Sequence, residues 1–236
     1  MRVNNLIGFV LFTCIALIHQ HKQYEEETLY SLNGGVYNDN TNQPVEVNST
    51  VVYKTLPFGN DIGVTHLRPG FDYYIKLKKS KTYKIQVKAK GFATSSKIVE
   101  PNQESISKES IRLDFRLKPI EVGQLIELRK LKFAQGKADI LKDAFNDLED
   151  LYATLTENPK IKIRIEGHTD IDGSAELNMK LSKLRVEKIE EFLINKGIDK
   201  NRIETDAFGE AFPLVKHGTE EERSVNRRVE IRITSI

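Results

Sequence analysis

Residues 164–197, RIEGHTDIDGSAELNMKLSKLRVEKIEEFLINKG, run from a strand through a polar, glycine-containing turn into a long helix. Ile161, Ile163 and Ile165 alternate with polar residues, the period of a strand with one buried face. Ser174 is placed to cap the helix, and Gly197 to close it. On a helical wheel Leu177, Leu181, Leu184, Ile189, Phe192 and Leu193 define the buried side. Arg185 falls within that arc and Asn178 projects nearby, so a guanidinium and a carboxamide interrupt the apolar side. Lys188 lies near the same arc and can snorkel to water.

A buried guanidinium must meet an anion, since an uncompensated charge in the interior costs several kcal/mol. Asp170 is the local candidate, because Ser174 is better placed to cap. Two arrangements fit. In one, Arg185 and Asp170 form a structural ion pair; in the other, they flank a zwitterionic ligand.

The surrounding text has the same strand and helix grammar. Before the quoted stretch, residues 126–133 read as a strand. Ile140, Leu141, Ala144, Phe145, Leu148, Leu151, Tyr152 and Leu155 then repeat at helical spacing until Asn158 and Pro159. After it, 202–207 and 229–233 supply two more strands. Strands alternating with helices predict a two-layer α/β sandwich of βαβαββ type over 125–236.

Residues 28–118 read differently. Short β-prone runs are broken by Gly34 and Gly35, 38–43, 57–61, Pro69 and Gly70, Gly91, then Pro101 and Asn102, which predicts an all-β antiparallel sandwich. Runs 73–77 and 83–87, separated by 78–82, suggest a hairpin in which Tyr83, Ile85 and Val87 face a core while Lys84, Gln86 and Lys88 face water. The region is too short for a membrane barrel, and it carries Lys76, Lys78, Lys79 and Lys81 along one stretch. Residues 119–124 read as a linker between the two domains.

Bulk properties narrow the function. The chain's 236 residues suit two ordinary domains, and its 36 basic and 34 acidic residues leave a net charge of +2, which gives no field for nucleic acid. The single cysteine, Cys14, rules out an intrachain disulfide and a thiolate metal cluster. The five histidines are scattered, and of these only His19 and His21 are spaced to share a metal on a strand. No cofactor or metal is expected. Arg2 followed by the apolar run 6–18 makes residues 1–22 a signal peptide or short N-terminal anchor, so the protein is expected to work outside the cytoplasm. Cys14 stands where a lipoprotein signal would place its acylated cysteine, although Phe12 and Thr13 are bulky for such a site. Membrane association would come only through this segment or a lipid.

The blocks IRIEGHTDIDGS, NMKLSKLR, KGIDKNRIETDAFGE and ERSVNRRVEI, with FAQGKADIL upstream, resemble in order and spacing the OmpA-like peptidoglycan-binding domain family, over roughly 123–236. The resemblance implies a non-catalytic envelope protein of the periplasm, associated with the outer membrane. It would grip peptidoglycan by the diaminopimelate of the stem peptide. In this family the aspartate of the HTD turn and the arginine of the LSxxR helix hold that residue, and here they align with Asp170 and Arg185. Asp170 would take the ammonium and Arg185 the carboxylate, with Thr169, Asn178, Asn226 and Arg227 around the same ligand. The chain departs from the family pattern at Ala134 and Gln135, at His217 and Gly218, and at Glu222. The N-terminal half loosely resembles carboxypeptidase-regulatory-like or transthyretin-like sandwiches, whose expected role is that of a spacer or a contact for an envelope protein or glycan.

Three other functions were weighed against this one. Glu166, Asp170 and Asp172 around one turn could be the paired carboxylates of a glycan hydrolase. A stator-type wall anchor would want a spanning helix with a functional acid, and 6–18 is short and has none. An adhesive or scaffold protein would put its function in the sandwich, with the terminal domain as a tether.

Overall fold

The structure, a computed structural model, describes residues 29–57, 62–101, 110–126, 128, 133, 136–140 and 144–236. Cys14, His19, His21, Ala134, Gln135 and the segment 1–22 lie outside the described residues, as does most of the strand expected over 126–133.

The described residues of the N-terminal region form nine strands. β1 (Leu29–Gly34) lies between β5 (Tyr73–Lys78) and β8 (Ser110–Arg112). A second sheet runs β4 (Ile62–Leu67), β3 (Ser49–Leu56), β6 (Thr82–Ala89), β7 (Ser95–Val99), and β2 (Val36–Asn38) pairs with β9 (Phe115–Leu117). Tyr30, Leu32, Val51, Ile75, Leu77, Ile85, Val87, Phe115 and Leu117 fill one core between them. The expected sandwich is present, but β1 with β8 and β2 with β9 pair in parallel, so it is not wholly antiparallel.

The expected hairpin is not formed. β5 pairs with β1, whereas β6 pairs with β3 and β7, so the turn between β5 and β6 crosses from one sheet to the other. Alternation could not distinguish the two cases, because strands of facing sheets bury alternate residues in the same core as strands of one hairpin do. Lys84, expected in water, is 1% exposed, because a helix of the C-terminal region covers the outer face of β6.

The C-terminal sheet has the order β10 (Leu125–Ile126), β13 (Val229–Ser235), β11 (Lys162–His168), β12 (Ile203–Gly209). β11 and β12 are parallel and joined by a helical crossover; β13 runs antiparallel to β11 and β10. Helices α1 (Phe145–Glu157) and α2 (Ala175–Asn195) pack on one face, where Leu148, Leu151, Leu155, Ile163, Ile165, Val186, Ile189, Leu193 and Ile231 form the second core. Ile140 precedes α1, which therefore starts later than the apolar repeat suggests.

Ser174 caps α2, its side chain accepting from the Leu177 amide at 3.3 Å. At the other end Gly197, with φ +96°, turns the chain, and the Ile198 amide reaches back to the Leu193 carbonyl. The buried face of α2 matches the predicted one at Arg185, Ile189 and Leu193 but not in its first half. Asn178, Ser182, Arg185, Val186, Ile189 and Leu193 are buried, while Leu177 and Leu184 are 64% and 42% exposed. The first half of α2 lies too close to the sheet for leucines. A Cβ on Gly167 would sit 2.6 Å from the Ser182 carbonyl oxygen and 2.7 Å from Val186 Cγ1. The Ser182 hydroxyl fits in that space and accepts from the Gly209 amide at 3.0 Å.

α1 also binds the sandwich. The Asp150 carboxylate accepts from Lys84 Nζ at 2.9 Å, Gln86 Nε2 at 2.7 Å and Ser96 Oγ at 2.5 Å. Lys84 Nζ also donates to the Asn146 carbonyl, Thr94 N to Thr154 Oγ1, and Gly91 N to Asn158 Oδ1. Residues 119–124 are held too, since Ile120 N donates to the Gly91 carbonyl and its side chain packs in the α/β core.

Candidate functional site

The C-terminal end of β11 brings the predicted site residues together. Asp170, 4% exposed, accepts from its neighbour's amide, Ile171 N, at 2.8 Å and from Asn226 Nδ2 at 3.4 Å. Its other oxygen faces Arg223 Nε at 3.4 Å and Arg227 Nη1 at 3.7 Å. Asn226, fully buried, receives the amides of Leu214 and Val215 on Oδ1 at 2.8 and 3.0 Å, which ties the loop after β12 to the floor of the site. Asn178 donates to Glu210 at 2.5 Å. Thr169 is 2% exposed, and its hydroxyl has no hydrogen-bond partner.

Of the two arrangements open to Arg185 and Asp170, the direct ion pair is not formed; among the described residues the ion-pair partners of Asp170 are Arg223 and Arg227. Arg185, 0% exposed, donates to the carbonyls of Lys137 at 3.1 Å and His168 at 3.0 Å and lies 4.7 Å over the Phe133 ring. Oriented carbonyl dipoles and an aromatic face are among the groups that meet it. Burial, reinforced by the positive charge of Arg227, pulls its pKa down to about 10, so it stays a cation at neutral pH. Arg227 stands apart in one respect. Its Nε and Nη1 are buried without a hydrogen-bond partner, and its ion-pair contacts, 3.7 Å to Asp170 and 3.4 Å to Glu220, are loose.

Arg223 is the site residue that sequence reasoning missed. It bridges Asp170 and Asp172, the latter at 3.1 Å, and its Nη1 donates to the Gly218 carbonyl at 2.8 Å. It is carried by α3 (Glu220–Arg223), which opens with a capping box between Thr219 and Glu222. Thr219 followed three residues later by Glu222 was the legible signal, and the departure at Glu222 serves this cap.

On the face of the sheet turned away from the helices, Glu166, His168 and Glu230 place candidate ligand atoms within 4.8 Å of one another, and both His168 ring nitrogens lack hydrogen-bond partners. The carboxylates are already compensated. Glu166 meets Arg232 at 2.8 Å and Arg164 at 2.9 Å, and Glu230 meets Arg228 at 2.6 Å. A divalent cation would have to sit among these three guanidiniums, which disfavours a metal there. The same ladder argues against Glu166 as a hydrolytic acid. Burial alone would raise its pKa, but Arg232 and Arg164 outweigh burial and hold it below the usual carboxylate range, the opposite of what a proton donor at neutral pH needs.

Comparison with known proteins agrees on this half of the chain. Residues 132–227 match the model of the OmpA family, so the C-terminal half carries an OmpA family domain, while the β-rich N-terminal region has no family assignment. The chain is 35% identical over 104 residues to the probable lipoprotein YiaD of Escherichia coli (strain K12), covering 44% of this chain and 48% of that protein. It is 33% identical over 96 residues to the peptidoglycan-associated lipoprotein of Haemophilus influenzae, covering 41% of this chain and 63% of that one. Thus the chain spans about half the length of the curated relatives it matches. The crystal structure of the peptidoglycan-associated lipoprotein from Burkholderia pseudomallei aligns with a TM-score of 0.41 and 22% identity, over 45% of this chain and 88% of that one.

Proposed function

We propose that the protein is a non-catalytic envelope component that binds peptidoglycan without covalent attachment, through the diaminopimelate of the stem peptide, and so links the outer membrane or a periplasmic partner to the wall. The observation that carries this reading is the loose contact between Arg227 and Asp170. At 3.7 Å the two are too far apart for a hydrogen bond, and Arg227 has unused donors facing the carboxylate. The free end of diaminopimelate is a zwitterion. Inserted here, its ammonium pairs with Asp170 and its carboxylate with the Arg227 guanidinium, above the buried positive charge of Arg185, so no charge is stranded. Charge-assisted bonds contribute about 1.5–3 kcal/mol each. A stem lysine, which lacks the carboxylate, offers the Arg227 donors no acceptor and is discriminated against. Arg185 is wholly enclosed, so its positive charge acts from beneath, whereas Arg227, with 14% of its side chain exposed, meets the ligand. Thr169, Asn178 and Asn226 supply neutral donors and acceptors around them. The names of the matched relatives, one of them a peptidoglycan-associated lipoprotein, point the same way. Export through residues 1–22, with Cys14 as the candidate acylated residue, completes the proposal.

The test is co-sedimentation of the full chain with diaminopimelate-type sacculi, because α1 is bonded to the sandwich and the α/β half has not been shown to fold alone. Asp170→Ala, Arg185→Ala and Arg227→Ala are compared after circular dichroism confirms their folding. Parent protein in the pellet and loss of binding in the folded variants are expected. Parent protein in the supernatant, or variants that bind equally well, would overturn the reading.

A further inference from the structure

Beside the candidate site stands a large aromatic ring that neither the fold nor the charge chemistry uses. Phe212, in the loop after β12, is 59% exposed. It is nevertheless held from several sides. Its ring meets Phe208 edge-on, with centroids 5.2 Å apart at 85°, and Phe208 in turn stacks on His168 at 5.4 Å. Its carbonyl accepts from both terminal nitrogens of Arg228 at 3.4 Å, and the turn beneath it is closed by Ala211 N to the Phe208 carbonyl at 3.0 Å. Two residues on, Leu214 N is fastened to Asn226, the residue that also touches Asp170. A ring held open to solvent, with cationic Arg228 on its own backbone carbonyl, is arranged to be covered by a partner that has both carbon–hydrogen faces and hydroxyl groups.

We infer that Phe212 is a stacking platform for a sugar ring of the glycan strand, so that the site reads sugar and stem peptide together. The inference rests on the wall-binding reading above. A pyranose offers an apolar face of polarised C–H bonds to the negative face of an aromatic ring, and its hydroxyls can accept from Arg228. Two stem residues and the diaminopimelate side chain separate the muramyl lactyl group from Asp170, which at about 3.3–3.6 Å per extended residue keeps the sugar at least on the order of 10 Å away. Phe212 is linked to Asp170 across one asparagine side chain and two residues of loop, which sets it outside the charged pocket.

The experiment is calorimetric titration of the full chain with two compounds, the disaccharide–tripeptide and the sugar-free tripeptide, both ending in diaminopimelate. The parent should bind the disaccharide compound more tightly. Phe212→Ala should weaken that binding roughly 2- to 12-fold, the range of an aromatic contact of about 0.5–1.5 kcal/mol, and leave the sugar-free compound unaffected. Phe212→Tyr should behave like the parent and Phe212→Leu like the alanine variant. If Phe212→Ala leaves disaccharide binding unchanged, weakens both compounds equally, or is rescued by leucine, the platform is refuted while the peptide site stands. If the parent binds neither compound, the wall-binding reading itself fails.

Discussion

Replacing Asp150 with alanine removes a charged acceptor at the contact between the two halves of the chain. Its carboxylate takes hydrogen bonds from Lys84, Gln86 and Ser96, and the Lys84 side chain is 1% exposed against 20% for Asp150. With Asp150→Ala, the ammonium keeps only the Asn146 carbonyl as a partner in a nearly dry setting. Breaking a buried pair by removing one member costs about 3–5 kcal/mol. Water can reach the Asp150 side of this one, which places the loss near the lower figure, about 3 kcal/mol. With a urea slope of about 3 kcal/mol per molar, the midpoint should fall by roughly 1 M. Lys84→Met should cost less, because Asp150 keeps Gln86, Ser96 and partial hydration. The Lys84→Met/Asp150→Ala double variant should be more stable than Asp150→Ala alone, since no ammonium is then stranded. Urea titration followed by far-ultraviolet circular dichroism reads all four proteins. An Asp150→Ala loss below about 1 kcal/mol, or a double variant less stable than the single one, would refute the reasoning.

Two further outcomes follow from the sheet. Burial, with a smaller contribution from Arg228, lowers the His168 pKa from 6.5 to about 4, so between those values the unfolded chain binds the proton more readily than the folded one. Stability should therefore fall as pH drops from 6.5 to 4, by up to about 3 kcal/mol at 1.36 kcal/mol per unit. A His168→Gln variant should lose this part of the slope; equal slopes in the two proteins would count against it. Gly167→Ala drives a methyl group against the Ser182 carbonyl, which is backbone and yields only if α2 shifts. A loss of about 1–3 kcal/mol in thermal unfolding is expected, and an unchanged melting temperature would contradict the close approach.

Short-range patterns were enough to determine several features. Ile163 and Ile165 mark the buried face of β11, Ser174 and Gly197 bound α2, and the change of grammar near Pro119 separates the β-rich half from the α/β half, because each depends on residues a few positions apart. Asp170 and Arg185 could likewise be placed near one turn. Only the tertiary structure decided how those pieces face one another. α2 is rotated so that Asn178, Ser182 and Arg185 are buried in place of Leu177 and Leu184, because Gly167 and Gly209 let the helix approach too closely for leucine. Asp170 pairs with Arg223 and Arg227, which arrive from more than 50 residues away, and Arg185 is met by carbonyls whose direction no side-chain pattern records. Lys84 looked solvated because alternation tells only which face of a strand a residue occupies. What covers that face was settled by the docking of α1, a contact between surfaces more than 60 residues apart in the chain.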